Sequence, residues 1–525
     1  MRVPLLYKPG ILRDGTIFQD EYCTDGQWIR FVGGKIKKMK GQQEVVSQNG
    51  VTLNITYLDV QYYQGRQLYY ANRESIEKGI LNNNCTLTNT INLLLENENP
   101  DDTTWQSVRF IRNTVPCIAF LQTENGSNMS NETPGRLYWK QLSDNKVLVN
   151  SVISGEAGNI ASGGILYSNP CLYVYGNNGT IARSRTNDPL NFTGGDSGIY
   201  NISADKLIFG ASIRGGSNSP SLLFWTANSV IYLTNVADGN SPVDFQKEVV
   251  TNNSSLMSSR SIVQYDSLFF WLGTDRIFVY NGIVDSVPNT INLEYFFDNV
   301  DLNKRQKIYG YKIARYGEVR WAYPEKAYGD NPDIGCTREL VYNVRENSWY
   351  DTAVARTCVT VDETTGDIFS YGQACSNYPL NLDDDYQRIW KHEVGTTEIR
   401  KDLNVNIPSF FITPFYGFVT FNPAKTGSAI DKYIVLDQIE PDFPSNTTRT
   451  NADEIIITVN YKKYAGTSLV STEPITFKLA DLIDAPNLGK IDFRVQGRFM
   501  NIKFSCAYPY DVGTILLNFK EGDSQ

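Results

Sequence analysis

Short apolar runs separated by polar turns recur along most of the chain. The clearest example is Leu268 to Gly282, LFFWLGTDRIFVYNG. Its two runs, Leu268–Leu272 and Ile277–Tyr280, flank Gly273-Thr274-Asp275 and stop at Asn281-Gly282. Short aromatic and β-branched runs bounded by turn residues predict a β-hairpin. Neither run alternates apolar with polar, so both faces of the hairpin are predicted to be buried.

Other stretches share this plan: LLFWTANSVIYLT (222–234), CLYVYGNNGTIARS (171–184), VRWAYP (319–324) before ELVYNVRENSWY (339–350), and DIFSYGQ (367–373) before RIWKHEVG (388–395). QLYYANRE (67–74) and CIAFLQTENG (117–126) follow it more loosely. One aromatic per unit, Tyr70, Phe120, Tyr175, Trp225, Trp271, Trp321 and Tyr371, recurs at intervals of 50, 55, 50, 46, 50 and 50 residues. Self-similarity at this period marks a β-propeller, whose sheets pack face to face around an axis. The expected fold is therefore all-β, a propeller of six or seven blades; unrelated hairpins in two or three sandwiches are the alternative.

The pattern changes near residue 396. A Pro-aromatic segment (407–418) precedes runs with clearer alternation, such as EIIITVNYKKY (454–464) and KIDFRVQGRFMNIKFSCAY (490–508). Alternation predicts strands with one wet face, and Gly497 predicts either a break between two strands or a kink in one. The expected division is a propeller with an N-terminal strand segment over 1–396 and a C-terminal β-sandwich-like domain over 397–525.

Composition fits many short strands joined by turns: 32 Tyr, 25 Phe and 40 Gly among 525 residues, with 41% hydrophobic and 20% charged positions. The net charge of −9 argues against tight binding of phosphates, and no phosphate-binding glycine loop is present, so no nucleotide cofactor is expected. No apolar run is long enough for a membrane helix or a signal peptide, so neither membrane insertion nor export by the general route is expected. Eight cysteines without a Cys-x-x-Cys pair read as reduced, buried small residues.

The one histidine, His392, removes His-His zinc motifs and any His-based acid/base pair. A hydrogen-bonded strand residue is the expectation there, and catalysis the alternative. Asp383-Asp384-Asp385 has no surrounding cation loop and reads as a solvated turn. Lys35, Lys37, Lys38 and Lys40 form the basic cluster. Lysines on the wet face of an edge strand discourage unwanted pairing; contact with DNA or an acidic partner is the sharper reading. No catalytic residue, metal site or cofactor is assigned, and no enzymatic activity is expected.

GQWIRFVGGKIKKMKG (26–41) resembles the N-terminal signature of short-tailed bacteriophage tail hub or nozzle proteins, the packaged-DNA stabilisation family. YVYGNNGTIARSRTNDPLNF (173–192), FFWLGTDRIFVYNG (269–282), LVYNVRENSWY (340–350), IWKHEVGT (389–396) and VQGRFMNIKF (495–504) resemble later family segments in the same order. The resemblance implies a virion protein, assembled in the host cytoplasm into a ring, usually of six copies, below the portal and adaptor rings and near tail fibre or needle proteins. Such a ring closes the DNA exit after packaging and passes genomic DNA without sequence-specific binding. An acidic subunit suits a lumen through which DNA slides. The matched Trp28, Arg30, Phe31, Gly33 and Gly34 read as strand packing and a tight turn, or as an intersubunit contact. Loops 214–220 and 325–335 are gating candidates by length and polarity, with a solvated surface turn as the equal alternative for each. The competing function is a carbohydrate-binding or depolymerising propeller acting on host surface polysaccharide.

Overall fold

The computed structural model describes residues 2–522 except 17–20, 48–53, 73–74, 94–102, 125–129, 131–132, 145–148, 152, 154, 214–220, 236–244, 289–290, 329–334, 382–385, 402, 418–431, 444–453 and 479–489. Among the described residues, seven antiparallel leaflets follow one another along the chain. The first is built on Tyr57–Tyr62, Arg66–Ala71, Ile76–Leu81 and Thr86–Asn92. The next four take four consecutive strands each, opening at Thr103–Arg112, Gly164–Ser168, Phe209–Ile213 and Val263–Tyr265. Leaflet six comprises Tyr309–Ile313, Glu318–Tyr323, Cys336–Asn343 and the first half of the long strand Ser348–Val361. The second half of that strand turns inward and opens leaflet seven, followed by Ile368–Gly372 and Arg388–His392.

Alternation explains why the strands lack a polar face. In Ser221–Trp225, Leu222 and Phe224 pack toward leaflet three, whereas Leu223 and Trp225 pack toward leaflet five. In the 268–282 hairpin, Phe269 and Trp271 face leaflet four, while Phe270 and Leu272 face leaflet six. Leu68 and Tyr70 join Phe369 and Tyr371 between leaflets one and seven, and Tyr69 joins Ile118 and Phe120 between one and two. Leaflets two and three share Leu121 with Leu172 and Val174, and six and seven share Ala322 with Ile368. Seven apolar layers thus close a circle, which is a β-propeller. The seven periodic aromatics all lie on the second strand of their leaflet and are at most 1% exposed.

The ring is closed by strand exchange. The fourth strand of leaflet seven is Gln42–Glu44 from the N-terminal region, with Gln42 opposite His392 and Glu44 opposite Trp390. Near the axis the leaflets crowd. A Cβ at Gly310 would sit 2.4 Å from Val263 of leaflet five and 2.9 Å from Trp321, so this inner-strand position tolerates only glycine.

Outside the propeller, two sheets face each other across a second core. One contains Arg2–Pro4, Leu516–Glu521, Ile434–Glu440 and Ile491–Gly497; the other contains Asp25–Gln27, Phe410–Ile412, Phe499–Ser505 and Glu454–Lys462. Leu436, Phe493 and Leu517 meet Phe411, Ile457 and Phe504 between them. The N-terminal segment, grouped with the propeller in the sequence expectation, packs on both bodies: Gln42–Glu44 completes leaflet seven, and other parts enter the second core, which Val341, Tyr350 and Val354 of leaflet six share. Arg2 lies opposite Asn518, and Trp28, Ile29 and Phe31 belong to the C-terminal core. Gly497 separates two strands that lie in different sheets.

Candidate functional site

The family-like stretch folds as a hairpin, Ile29–Val32 against Lys35–Lys38, with Val32 opposite Lys35. Gly33 and Gly34 both have positive φ, 60° and 73°, the geometry of a two-residue hairpin turn in which glycine carries no steric penalty. Their N–H groups grip the carboxylate of Glu346 in a leaflet-six turn. Gly34 donates to Oε2 at 3.1 Å and Gly33 donates to Oε1. Phe31 is fully buried and meets Tyr350 edge to face at 5.4 Å. The Trp28 backbone N–H donates to the Thr352 hydroxyl at 3.1 Å and its indole N–H donates to the Lys40 carbonyl at 3.2 Å.

Arg30 occupies the centre of this junction and is 2% exposed. Its guanidinium donates to both carboxylate oxygens of Glu393, at 2.8 and 2.5 Å. Its Nε lies 3.0 Å from Glu318, and the group stacks 3.7 Å from the Tyr316 ring centroid. Glu318 also accepts from Arg320 at 2.7 Å and from the Tyr350 hydroxyl at 2.8 Å; Arg320 continues to Glu339 at 2.9 Å. Burial opposes ionisation of Glu318, yet Arg30 and Arg320 outweigh it and hold the carboxyl below the usual range. A second tie runs through Arg13, whose Nε donates to Asp351 at 2.8 Å. Burial pushes the Asp351 carboxyl up, but Arg13 and Arg338 bring it down to about 2. The motif residues therefore join the N-terminal segment and the sandwich core to leaflets six and seven.

The lysine strand is not a free edge, being flanked by Ile29–Val32 on one side and by 510–512 on the other. Lys37 Nζ lies 3.1 Å from Asp511 of the C-terminal region, and the buried Lys38 amine donates to the Ala507 carbonyl. The second hairpin strand pairs antiparallel with 510–512 through the Lys38 N–H to the Tyr510 carbonyl and the Val512 N–H to the Ile36 carbonyl. Burial lowers Lys38 to about 8. Lys35 is exposed and Lys40 half-buried. Lys37 and Lys38 are thus struts within the subunit.

Beside Arg30, between leaflets six and seven, opens a cleft of about 660 Å³. Turns 314–316, 362–367 and 393–395 line it. Asp362, 2% exposed, pairs with Arg66 at 2.9 Å, and Arg66 reaches Asp367 at 2.8 Å. Lys391 meets Asp367 at 2.8 Å, and Lys312 meets Glu363 at 3.5 Å. His392 borders the cleft and shares a 2.5 Å hydrogen bond with the fully buried Ser370 hydroxyl. Burial, reinforced by Arg356 and Arg320, holds its imidazole well below the ordinary histidine range, hence neutral. His392 is a hydrogen-bonded strand residue.

All eight cysteines are free and buried. Among the described residues no cluster of three His, Cys, Asp or Glu side chains could hold a metal, and no helix is long and apolar enough to cross a membrane. Asp383 to Asp385, loop 214–220 and residues 329–334 of the second candidate loop lie outside the described residues. Sequence reasoning missed the partners of Arg30 and the whole cleft. The available signal for the first was Glu318 and Arg320 inside an otherwise apolar strand, EVRWAY. For the second it was the acidic turn DETTGD at 362–367.

No family model and no curated protein matches the chain. Among solved structures, an Aleuria aurantia lectin mutant in complex with Fucalpha1-6GlcNAc is similar at 9% identity, covering 60% of this chain and 95% of that one, with a TM-score of 0.30. The same lectin, described as a six-bladed β-propeller, aligns at 10% identity over 60% of this chain and 95% of its own, with a TM-score of 0.29. A Dos1 propeller aligns at 12% identity over 75% of this chain and 98% of its own, with a TM-score of 0.35. These distant likenesses bear on neither ligand nor partner. The chain is a seven-leaflet β-propeller joined to a two-sheet domain.

Proposed function

We propose that this chain is the repeating subunit of a ring-shaped tail nozzle of a short-tailed bacteriophage, a structural virion protein that closes the DNA exit after packaging and passes DNA during ejection. The ordered motifs support this reading, and one structural observation carries it. The residues of the family-like opening, Trp28 to Gly34, are spent on fixing the propeller to the sandwich through Arg30, Glu318, Glu393 and Glu346. Such a joint makes one stiff subunit from two bodies, as a part that bears the pressure of packaged DNA requires.

The lumen of such a nozzle lies between copies. A net charge of −9 per copy keeps the phosphate backbone from sticking. Portal or adaptor proteins above, and fibre or needle proteins below, are the partners this reading implies.

The test is electron microscopy of the purified chain, alone and mixed with portal–adaptor complexes, combined with mass measurement by light scattering. A closed ring of about six 59.2 kDa copies around an open lumen is expected. A chain that stays monomeric in both preparations refutes the nozzle reading.

A further inference from the structure

The cleft between leaflets six and seven has no part in the nozzle reading, and its chemistry is specific enough to name a ligand class. We infer that it is a saccharide-binding site. Its volume of about 660 Å³ lies within the range of small-ligand pockets and accommodates a short oligosaccharide.

No sign of charge dominates the lining. Asp362, Glu363, Asp367 and Glu393 contribute carboxylates; Lys312, Arg315 and Lys391 contribute cations. Arg66 and Arg30 stand directly behind two of the acids. A nucleotide or other polyanion meets four carboxylates there, and a polycation meets the lysines and arginines. Apolar side chains such as Ile313, Val361 and Val394 share the wall with these charges, so a lipid tail seated there would bury charged groups without giving them partners. A neutral ligand rich in hydroxyls suits the array, because each hydroxyl both donates and accepts.

The ion pairs leave capacity for such a ligand. A carboxylate has about four acceptor sites and a lysine amine three protons, so the Lys391–Asp367 pair at 2.8 Å retains donors and acceptors for vicinal hydroxyls. The same pairs hold the lining in place before binding. Arg66 fixes Asp362 and Asp367 together, and the Thr365 hydroxyl donates to Asp362 at 2.8 Å. A preorganised site loses less entropy on binding. Arg30 covers one face of Tyr316, so recognition runs through polar contacts more than through ring stacking.

Saturation-transfer NMR on the full chain tests the assignment, with glucose, galactose, mannose, rhamnose and N-acetylglucosamine oligosaccharides as probes. At least one probe is expected to bind saturably, and Asp367→Asn and Lys391→Met each to weaken it at least tenfold. Because those changes disturb internal ion pairs, the exposed rim variants Glu363→Gln and Arg315→Ala serve as folded companions, each weakening binding severalfold. Absence of binding by every probe overturns the inference. So does binding that all four variants leave unchanged, or competition by a short DNA oligonucleotide equal to that by free sugar. Ring assembly is measured separately, so failure here leaves the nozzle reading standing and the reverse also holds.

Discussion

Replacing Arg30 with Met tests whether the N-terminal hairpin is a structural joint. The substitution keeps a long unbranched stem and removes the guanidinium. Glu393, whose side chain is 19% exposed, loses both of its hydrogen bonds from Arg30, while the fully buried Glu318 keeps Arg320 and Tyr350. Breaking a buried ion pair from one side costs about 3–5 kcal/mol. The retained partners of Glu318 and the partial hydration of Glu393 place this site at the lower end. The lost stacking on Tyr316 adds about 1 kcal/mol, so a total near 3–4 kcal/mol is expected. Urea unfolding followed by tryptophan fluorescence reads it, because Trp28 lies two residues away and changes environment when the hairpin leaves. A thermodynamic cycle sharpens the test. Glu393→Gln alone leaves Arg30 its Glu318 partner, and the double variant should cost less than the sum of the singles by about 1–2 kcal/mol. A loss below about 1 kcal/mol for Arg30→Met, or strict additivity in the cycle, would refute the joint.

Trp271→Ala empties a fully buried site between leaflets four and five, where the indole lies 5.8 Å from Trp225 and stacks on Phe278; a loss of about 3–5 kcal/mol in chemical denaturation is expected. Gln42→Leu removes one hydrogen bond each from Arg356 at 2.7 Å and Glu398 at 2.8 Å, while Arg356 keeps the Ala355 and Gln373 carbonyls and Glu398 keeps Ser376 and Arg400; a cost of about 1–3 kcal/mol is expected, with leaflet seven more open to limited proteolysis. His392 is the sole histidine, so its proton NMR titration is unambiguous. Burial beside Arg356 and Arg320 lowers its folded pKa, so below about pH 6.5 the unfolded chain takes up a proton that the folded chain refuses, and stability falls with acidification. His392→Gln should flatten the stability profile between pH 7 and 5, and a ring that titrates at or above 6.5 would contradict the assignment.

What the sequence determined by itself was local. Runs such as Leu268–Leu272 carry apolar residues at every position, and that alone requires a strand covered on both faces. Repeated at a near-constant interval on Tyr70, Phe120, Tyr175, Trp225, Trp271, Trp321 and Tyr371, it requires a stack of sheets, and a stack of twisted sheets can close on itself. Tertiary structure decided the pairings across long stretches of chain. Gln42–Glu44 reads as a polar loop, and only the free edge of Arg388–His392 makes it the last strand of the ring. Arg2–Pro4 is too short to announce a strand, yet it completes a sheet with Leu516–Glu521. Arg30 and Lys38 carry no sign in the sequence of what covers them; Glu318, Glu393 and the Ala507 carbonyl, hundreds of residues away, make them part of an internal joint. The physical reason is the same in each case. Periodicity records how much of a residue is covered, while the identity of the covering group depends on which distant strand arrives there.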